Sequence, residues 1–223
     1  MYIPKHNEET RPEKLRELMA AHPLATLVTM GASGLFATHL PLVWEAGEGE
    51  HGVLRGHIAR TNVQWREFDP KVEALAIFSG PDHYIKPGWY PEKEEDGRVV
   101  PTWNYAVVHA YGALRIVEDG EWLMGLLQRL TAVHEAGSAA PWTMGDAPEE
   151  YIGGLLKRIV GVEIPITRIE GKWKLDQKES VRSREGVVAG LERLGSPESL
   201  KMKELMEETV LPDGPAARGA ITS

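Results

Sequence analysis

Trp103-Asn104-Tyr105-Ala106-Val107-Val108-His109-Ala110-Tyr111-Gly112-Ala113-Leu114-Arg115-Ile116-Val117 carries the clearest alternation in the chain. Ala106, Val108, Ala110, Gly112, Leu114 and Ile116 fall on one face of an extended strand, and Tyr105, His109, Tyr111 and Arg115 on the other. One face is small and apolar, the other large and polar. That contrast suits a barrel whose interior is filled by small side chains while the second face meets a subunit or a ligand.

The flanking sequence supplies antiparallel neighbours. Leu24 to Met30, the glycine-rich turn Gly31-Ala32-Ser33-Gly34, and Leu35 to Val43 read as a hairpin. The turn opens onto another strand, without the Lys-Ser/Thr ending and following helix of a phosphate loop. Further strands are expected at Val53 to Ile58, at Glu73 to Ser79 with Gly80-Pro81-Asp82 as its end, and at Val160 to Trp173. His83 to Tyr90 reads as irregular, and Glu92 to Arg98 as a charged loop. Helices are expected from the capping-box spacing Thr10-Arg11-Pro12-Glu13, with Leu15, Leu18 and Met19 inward, and at 121–136, 148–159 (capped by Asp146), 183–194 and 197–208. Six or seven strands interrupted by helices give a mainly β, α+β chain, an antiparallel split barrel with peripheral helices. The domain expectation is a barrel over 1–182, a helical extension over 183–210 and a flexible tail over 211–223.

Composition removes several function classes. The 223 residues include no cysteine, which excludes disulfides, thiolate nucleophiles and cysteine metal sites. No apolar run approaches the length of a bilayer span, the N-terminus has no signal-like segment, and a cytoplasmic address is expected. The net charge of −8 opposes non-specific nucleic-acid or anionic membrane binding; only 168–203, with 9 basic and 6 acidic residues, is locally basic. No His-Glu-x-x-His, Gly-x-Ser-x-Gly or Gly-x-Gly-x-x-Gly motif is present, so no metal, hydrolase or Rossmann site is expected and no catalytic residue is singled out. Three of seven tryptophans, Trp65, Trp89 and Trp103, sit in polar sequence, as an interface or a flat ligand requires.

The strand Val53 to Ile58 sends Arg55 and His57 to one face and empties through Ala59-Arg60-Thr61-Asn62 into a short helical segment containing Trp65. Thr61 or Asn62 is placed as N-cap, and Arg60 stands at its mouth. Unpaired backbone N–H groups beside an arginine make an anion site, with an ordinary helix cap as the equal alternative.

Met1-Tyr2-Ile3-Pro4-Lys5-His6, Thr38-His39-Leu40-Pro41, Gly56-His57-Ile58-Ala59-Arg60-Thr61-Asn62-Val63-Gln64-Trp65, Phe78-Ser79-Gly80-Pro81-Asp82-His83-Tyr84-Ile85, Gly88-Trp89-Tyr90, Val99-Val100-Pro101-Thr102-Trp103-Asn104-Tyr105 and Lys174-Leu175-Asp176-Gln177-Lys178 together resemble the PaiB-type FMN-binding negative transcriptional regulators of the split-barrel flavoprotein superfamily. The resemblance is collinear to about residue 208. It implies a homodimer with FMN at the subunit interface and its phosphate near the Gly56 to Asn62 junction. Thr38 and His39 would lie beside the flavin ring, Trp103, Asn104 and Tyr105 would approach it or shape the dimer contact, and Lys174 and Gln177 would close the site. Arg55, His57, Arg60, Thr61, Asn62 and Trp65 complete the implied cofactor set. The family's usual Lys-Leu-Ser-Gln-Asn is here Lys-Leu-Asp-Gln-Lys, and a carboxylate at Asp176 facing the phosphate would weaken FMN binding.

Three functions follow from that reading: an FMN-dependent oxidoreductase of a small-molecule substrate, a regulator acting through protein or DNA partners, and haem chemistry. The acidic charge and the lack of a helix-turn-helix with a basic stripe count against strong DNA contact. No axial-ligand motif supports haem.

Overall fold

The computed structural model describes residues 1–47 and 49–211. Among them the order is β1 (Glu8–Glu9), α1 (Pro12–Ala21), β2 (Leu24–Gly31), β3 (Gly34–Pro41), β4 (Val43–Glu45), β5 (Val53–Ala59), α2 (Gln64–Glu67), β6 (Ala74–Ile85), α3 (Glu92–Glu95), β7 (Thr102–Gly112), β8 (Arg115–Val117), α4 (Gly120–Glu135), α5 (Glu149–Leu156), β9 (Ile159–Pro165), β10 (Arg168–Lys174), α6 (Val181–Leu194) and α7 (Pro197–Val210). The strands form two sheets, β1-β10-β7-β6-β2-β3 and β4-β5-β9-β8, in the α+β split-barrel class expected. The chain divides into two compact units, Pro12–Phe78 with Val108–Glu170, and Met1–Arg11 with Ser79–Val107 and the residues from Gly171 on.

In the unit built from 12–78 and 108–170, α1 buries Leu15, Leu18 and Met19, as its spacing predicts. The β2–β3 hairpin runs in register from Leu24↔Pro41 to Gly31↔Gly34. Its two-residue turn requires the positive φ of Gly34, +105°, which a side chain would resist. The four-stranded sheet is centred on β5 and β9, whose inward Leu54, Ile58, Val160, Val162 and Ile164 are buried, with Leu123 and Leu126 of α4 also in the core.

The long alternating strand is divided. Asn104, Ala106, Val108, Ala110 and Gly112 occupy the buried face of β7, but Ala113 and Leu114 break the ladder and β8 joins the other sheet, against β9. Backbone crowding accompanies the break: a Cβ on Gly112 would stand 2.1 Å from the Pro165 carbonyl oxygen. Residues 160–173 likewise form two strands separated at Ile166-Thr167. Helix α5 stops at Leu156, and Asp146 does not cap it: Asp146 instead closes a capping box with Thr143 on the preceding 3-10 turn, while Pro148 stands at the α5 N-cap.

In the other unit, β6 continues through Gly80-Pro81-Asp82 to Ile85, against the break expected there. The β2 ladder on β6 ends at Thr26↔Ile77, so Pro81 falls where no N–H is demanded of it on that edge. Four residues of the charged loop are helical, as α3. Helices α6 and α7 are capped by the Ser180 and Ser196 hydroxyls, which accept from Ser183 and Ser199 N–H. They bury Val187, Leu191, Met202 and Met206. The expected tail is described only at Leu211; positions 212–223 lie outside the described residues.

Candidate functional site

The segment leaving β5 is held by its own side chains. Asn62 donates from Nδ2 to Thr38 Oγ1 on β3 (2.9 Å) and accepts the Gln64 N–H at Oδ1 (2.9 Å). The N-cap expected at Thr61 or Asn62 falls instead on Val63, whose side chain makes no cap; Asn62, one residue further out, supplies the oxygen that takes the first helical N–H of a helix of only four residues. Gln64, 1% exposed, donates to Leu27 O (3.2 Å) and Thr29 Oγ1 (3.1 Å), which clamps the segment against the hairpin. Gln64 is given no role by the sequence, because its burial between exposed Val63 and half-buried Trp65 carries no local periodic signal.

Arg60 does not stand open at the mouth of an anion site. Its Nη1 donates to Glu118 (2.5 Å), between β8 and α4, while its Nε donates to Lys157 O (3.1 Å) and its Nη2 to Ile159 O (3.2 Å), where α5 gives way to β9, so all three guanidinium nitrogens are engaged. Trp65 donates its indole N–H to Arg60 O (2.9 Å), and the Arg60 and Arg66 guanidiniums lie 5.7 and 4.3 Å from its ring centroid. The exposed Arg66 has no ion pair among the described residues and was not singled out from sequence. Thr61 is exposed, and the Thr61 and Val63 backbone N–H groups have no partner among the described residues, whereas their neighbours Arg60 and Asn62 donate to Arg158 O and Ala59 O.

Arg55 belongs to a different constellation. In register across β8, β9 and β5 stand Arg115, Glu163 and Arg55. Glu163 accepts from Arg55 (2.7 Å) and Arg115 (3.4 Å), and Glu45 accepts from Arg55 and from Arg129 of α4 (2.8 Å). Burial acts to lower the Arg55 pKa, but the hydrogen bonds and charges of Glu163 and Glu45 raise it overall. This row braces the sheet. His57, on the same strand face, has a buried Nδ1 without a partner, and burial lowers its pKa below 6.5. His39 is exposed on β3, opposite Thr26.

The remaining expected residues lie in the unit built from 1–11, 79–107 and 171 onward, and they organise a turn. Lys174 Nζ donates to Thr102 Oγ1 (2.6 Å) and Trp103 O (2.7 Å). Gln177 accepts the Leu175 N–H (2.8 Å) and donates to Trp173 O (2.5 Å). Asn104, fully buried, donates to Asp176 Oδ2 (3.0 Å), as does the Tyr90 hydroxyl (2.9 Å). Burial first, then the Asp176 charge, pushes the Tyr90 phenol far above its ordinary pKa. Trp103, 54% exposed, meets Tyr84 edge to face with centroids 6.0 Å apart. Tyr105 lies under the Lys172 ammonium, 5.1 Å from its centroid.

Residues 1–168 match the model of a family described as "Putative FMN-binding domain". The chain is 34% identical over 231 residues to an uncharacterized protein of Emericella nidulans, covering 88% of this chain and 92% of that one. It is 32% identical over 211 residues to the "Protease synthase and sporulation protein PAI 2" of Bacillus subtilis, covering 93% and 97%. Among solved structures, an FAD and haem binding protein from Mycobacterium smegmatis superposes with a TM-score of 0.56 at 15% identity, over 82% of this chain and 80% of that one, a likeness of fold.

Proposed function

We propose, from the premise that the chain belongs to this FMN-binding family and has FMN as its cofactor, that the phosphate is taken by the segment Thr61 to Arg66. The observation that carries the proposal is the pattern of open donors. In a segment whose side chains are otherwise bonded inward, the Thr61 and Val63 N–H groups and the Arg66 guanidinium are left for an anion, with the Thr61 hydroxyl beside them. Such oriented N–H groups and a guanidinium match phosphate chemistry. Asn62, Thr38, Gln64 and Arg60 then act as positioning residues that fix the segment, and Trp65, held by Arg60 O, sets the Arg66 side chain.

FMN, when bound, supplies redox chemistry that no side chain here provides. The protein's part is to bind the phosphate and to orient the ring against β3, where Thr38 is anchored by Asn62 and His39 is exposed.

The hairpin also supports a homodimer. Leu24 (65%), Leu35 (73%) and Phe36 (41%) are exposed on β2 and β3, an apolar surface that a second copy would cover. We read the chain as a cytoplasmic, flavin-dependent redox or regulatory protein; the bacterial relative's name links that protein to protease synthesis and sporulation. The acidic charge favours regulation through flavin state or protein partners over contact with the DNA backbone. The test is to incubate the purified chain with FMN and desalt it. Retention of about one flavin per chain supports the reading; a colourless protein after desalting, at concentrations where it stays folded, overturns it.

A further inference from the structure

A cavity of about 260 Å³ opens in the unit that contains the N-terminus, lined by Asn7, Tyr90, Arg98, Lys174, Asp176 and Lys178 among others. It is smaller than the roughly 300–1,000 Å³ pockets that take drug-sized ligands, so it suits a compact metabolite rather than a flavin. Its lining carries both signs of charge, Asp176 and Glu179 with Arg98, Lys174 and Lys178.

Asp176 is the only described non-glycine residue with positive φ, +59°, and its Oδ2 is committed to Tyr90 and Asn104. No partner is found for Oδ1 among the described residues, and Asp176 belongs to the cavity lining. Asn7 is only 6% exposed, lines the same cavity, and its amide has no hydrogen-bond partner among the described residues. The small exposed part of Asn7 includes its amide, which is not among the buried unpartnered groups and is therefore open to a ligand. Lys174 has used two of its three N–H donors on Thr102 and Trp103. Lys178 is exposed without an ion pair among the described residues, and the exposed Arg98 stands 3.7 Å from Asp96.

We propose that this cavity binds a small zwitterion, its primary ammonium held by Asp176 Oδ1 and the Asn7 amide oxygen, and its phosphate or carboxylate held by Lys174 and Lys178. A lone anion would meet Asp176 and Glu179 unfavourably, and a lone amine would meet three cations; a molecule carrying both charges finds a partner for each. The serine-to-aspartate departure in the Lys-Leu-Asp-Gln-Lys segment is then a specificity element. No flavin contact enters this site, so it stands or falls separately from the phosphate segment Thr61 to Arg66.

The experiment titrates the full chain, without added flavin, with O-phosphoethanolamine, ethanolamine and inorganic phosphate by calorimetry. Phosphoethanolamine is expected to bind at least about tenfold more tightly than either half-ligand, the effect of one added charge-assisted contact. Asp176→Asn, which keeps the shape and removes the charge, is expected to bring phosphoethanolamine to the affinity of phosphate. Lys178→Ala, at an exposed position, is expected to weaken phosphoethanolamine and phosphate alike. Phosphoethanolamine binding no tighter than phosphate to the parent chain overturns the proposal whatever the variants do. So does an undiminished preference in a folded Asp176→Asn protein. FMN titrated into the same samples reports on the flavin reading independently.

Discussion

Replacing Arg66 and Arg60 separately by alanine distinguishes a phosphate ligand from a structural tie. Arg66 is exposed, has no ion pair among the described residues and only lies over the Trp65 ring, so its loss removes little from the fold. A hydrogen bond to a charged group is worth roughly 1.5–3 kcal/mol, and Arg66→Ala should therefore weaken FMN binding about 10- to 150-fold. Riboflavin, lacking the phosphate, should bind weakly to the parent and be indifferent to the change. Arg60→Ala should do the reverse. It removes two donations to carbonyls, about 1 kcal/mol each, and a half-exposed ion pair to Glu118 worth about 0–1 kcal/mol. The expected loss is about 2–3 kcal/mol of stability with FMN affinity little altered. Fluorescence-quenching titrations of both flavins, with denaturant melts of all three proteins, read both quantities. Equal losses for FMN and riboflavin in Arg66→Ala, or a loss specific to FMN confined to Arg60→Ala, would refute the assignment.

His57, with its pKa lowered by burial, binds its proton more weakly folded than unfolded, so stability is complete above pH 6.5 and declines as pH falls through that value toward the lowered one; thermal melts should show this acid loss shrink in His57→Gln. Gly190→Ala would place a Cβ 2.3 Å from Cδ2 of the Trp89 ring, and the overpacking should cost about 1–3 kcal/mol, seen as a fall in melting temperature of about 2–4 °C per kcal/mol. Leu35→Glu, on the exposed hairpin, should give a folded monomer of 24.7 kDa by light scattering where the parent scatters as a dimer; a parent monomer would remove the dimer from the account.

Periodic signals were legible where a single face is buried. The α1 stripe, the β2–β3 hairpin and the two faces of β7 appear as the alternation predicts, because burial on one side imposes a period on the sequence. Corners were not legible: Gly112-Ala113-Leu114 and Ile166-Thr167 change sheet without changing the apolar pattern, since residues on both sides still face a core. Pro81 misled because its effect depends on whether a neighbour needs its N–H, which only the register reveals. In the candidate site, residue types pointed to the same segment that the open donors mark, but the choice between Arg60 and Arg66 did not reside in spacing. It depends on Glu118, Lys157 and Ile159, nearly a hundred positions away for the two carbonyls. Asp176 was visible as a departure, while its inward hydrogen bonds to Tyr90 and Asn104 required the fold.

Amide spectra of the isotope-labelled chain recorded with saturating FMN and with saturating riboflavin place the phosphate directly. The Thr61 and Val63 N–H resonances should shift strongly downfield with FMN and much less with riboflavin, because only FMN offers the anion their donors lack. Identical shifts with both flavins, or Thr61 and Val63 signals unmoved by bound FMN while others change, would contradict a phosphate held at this segment.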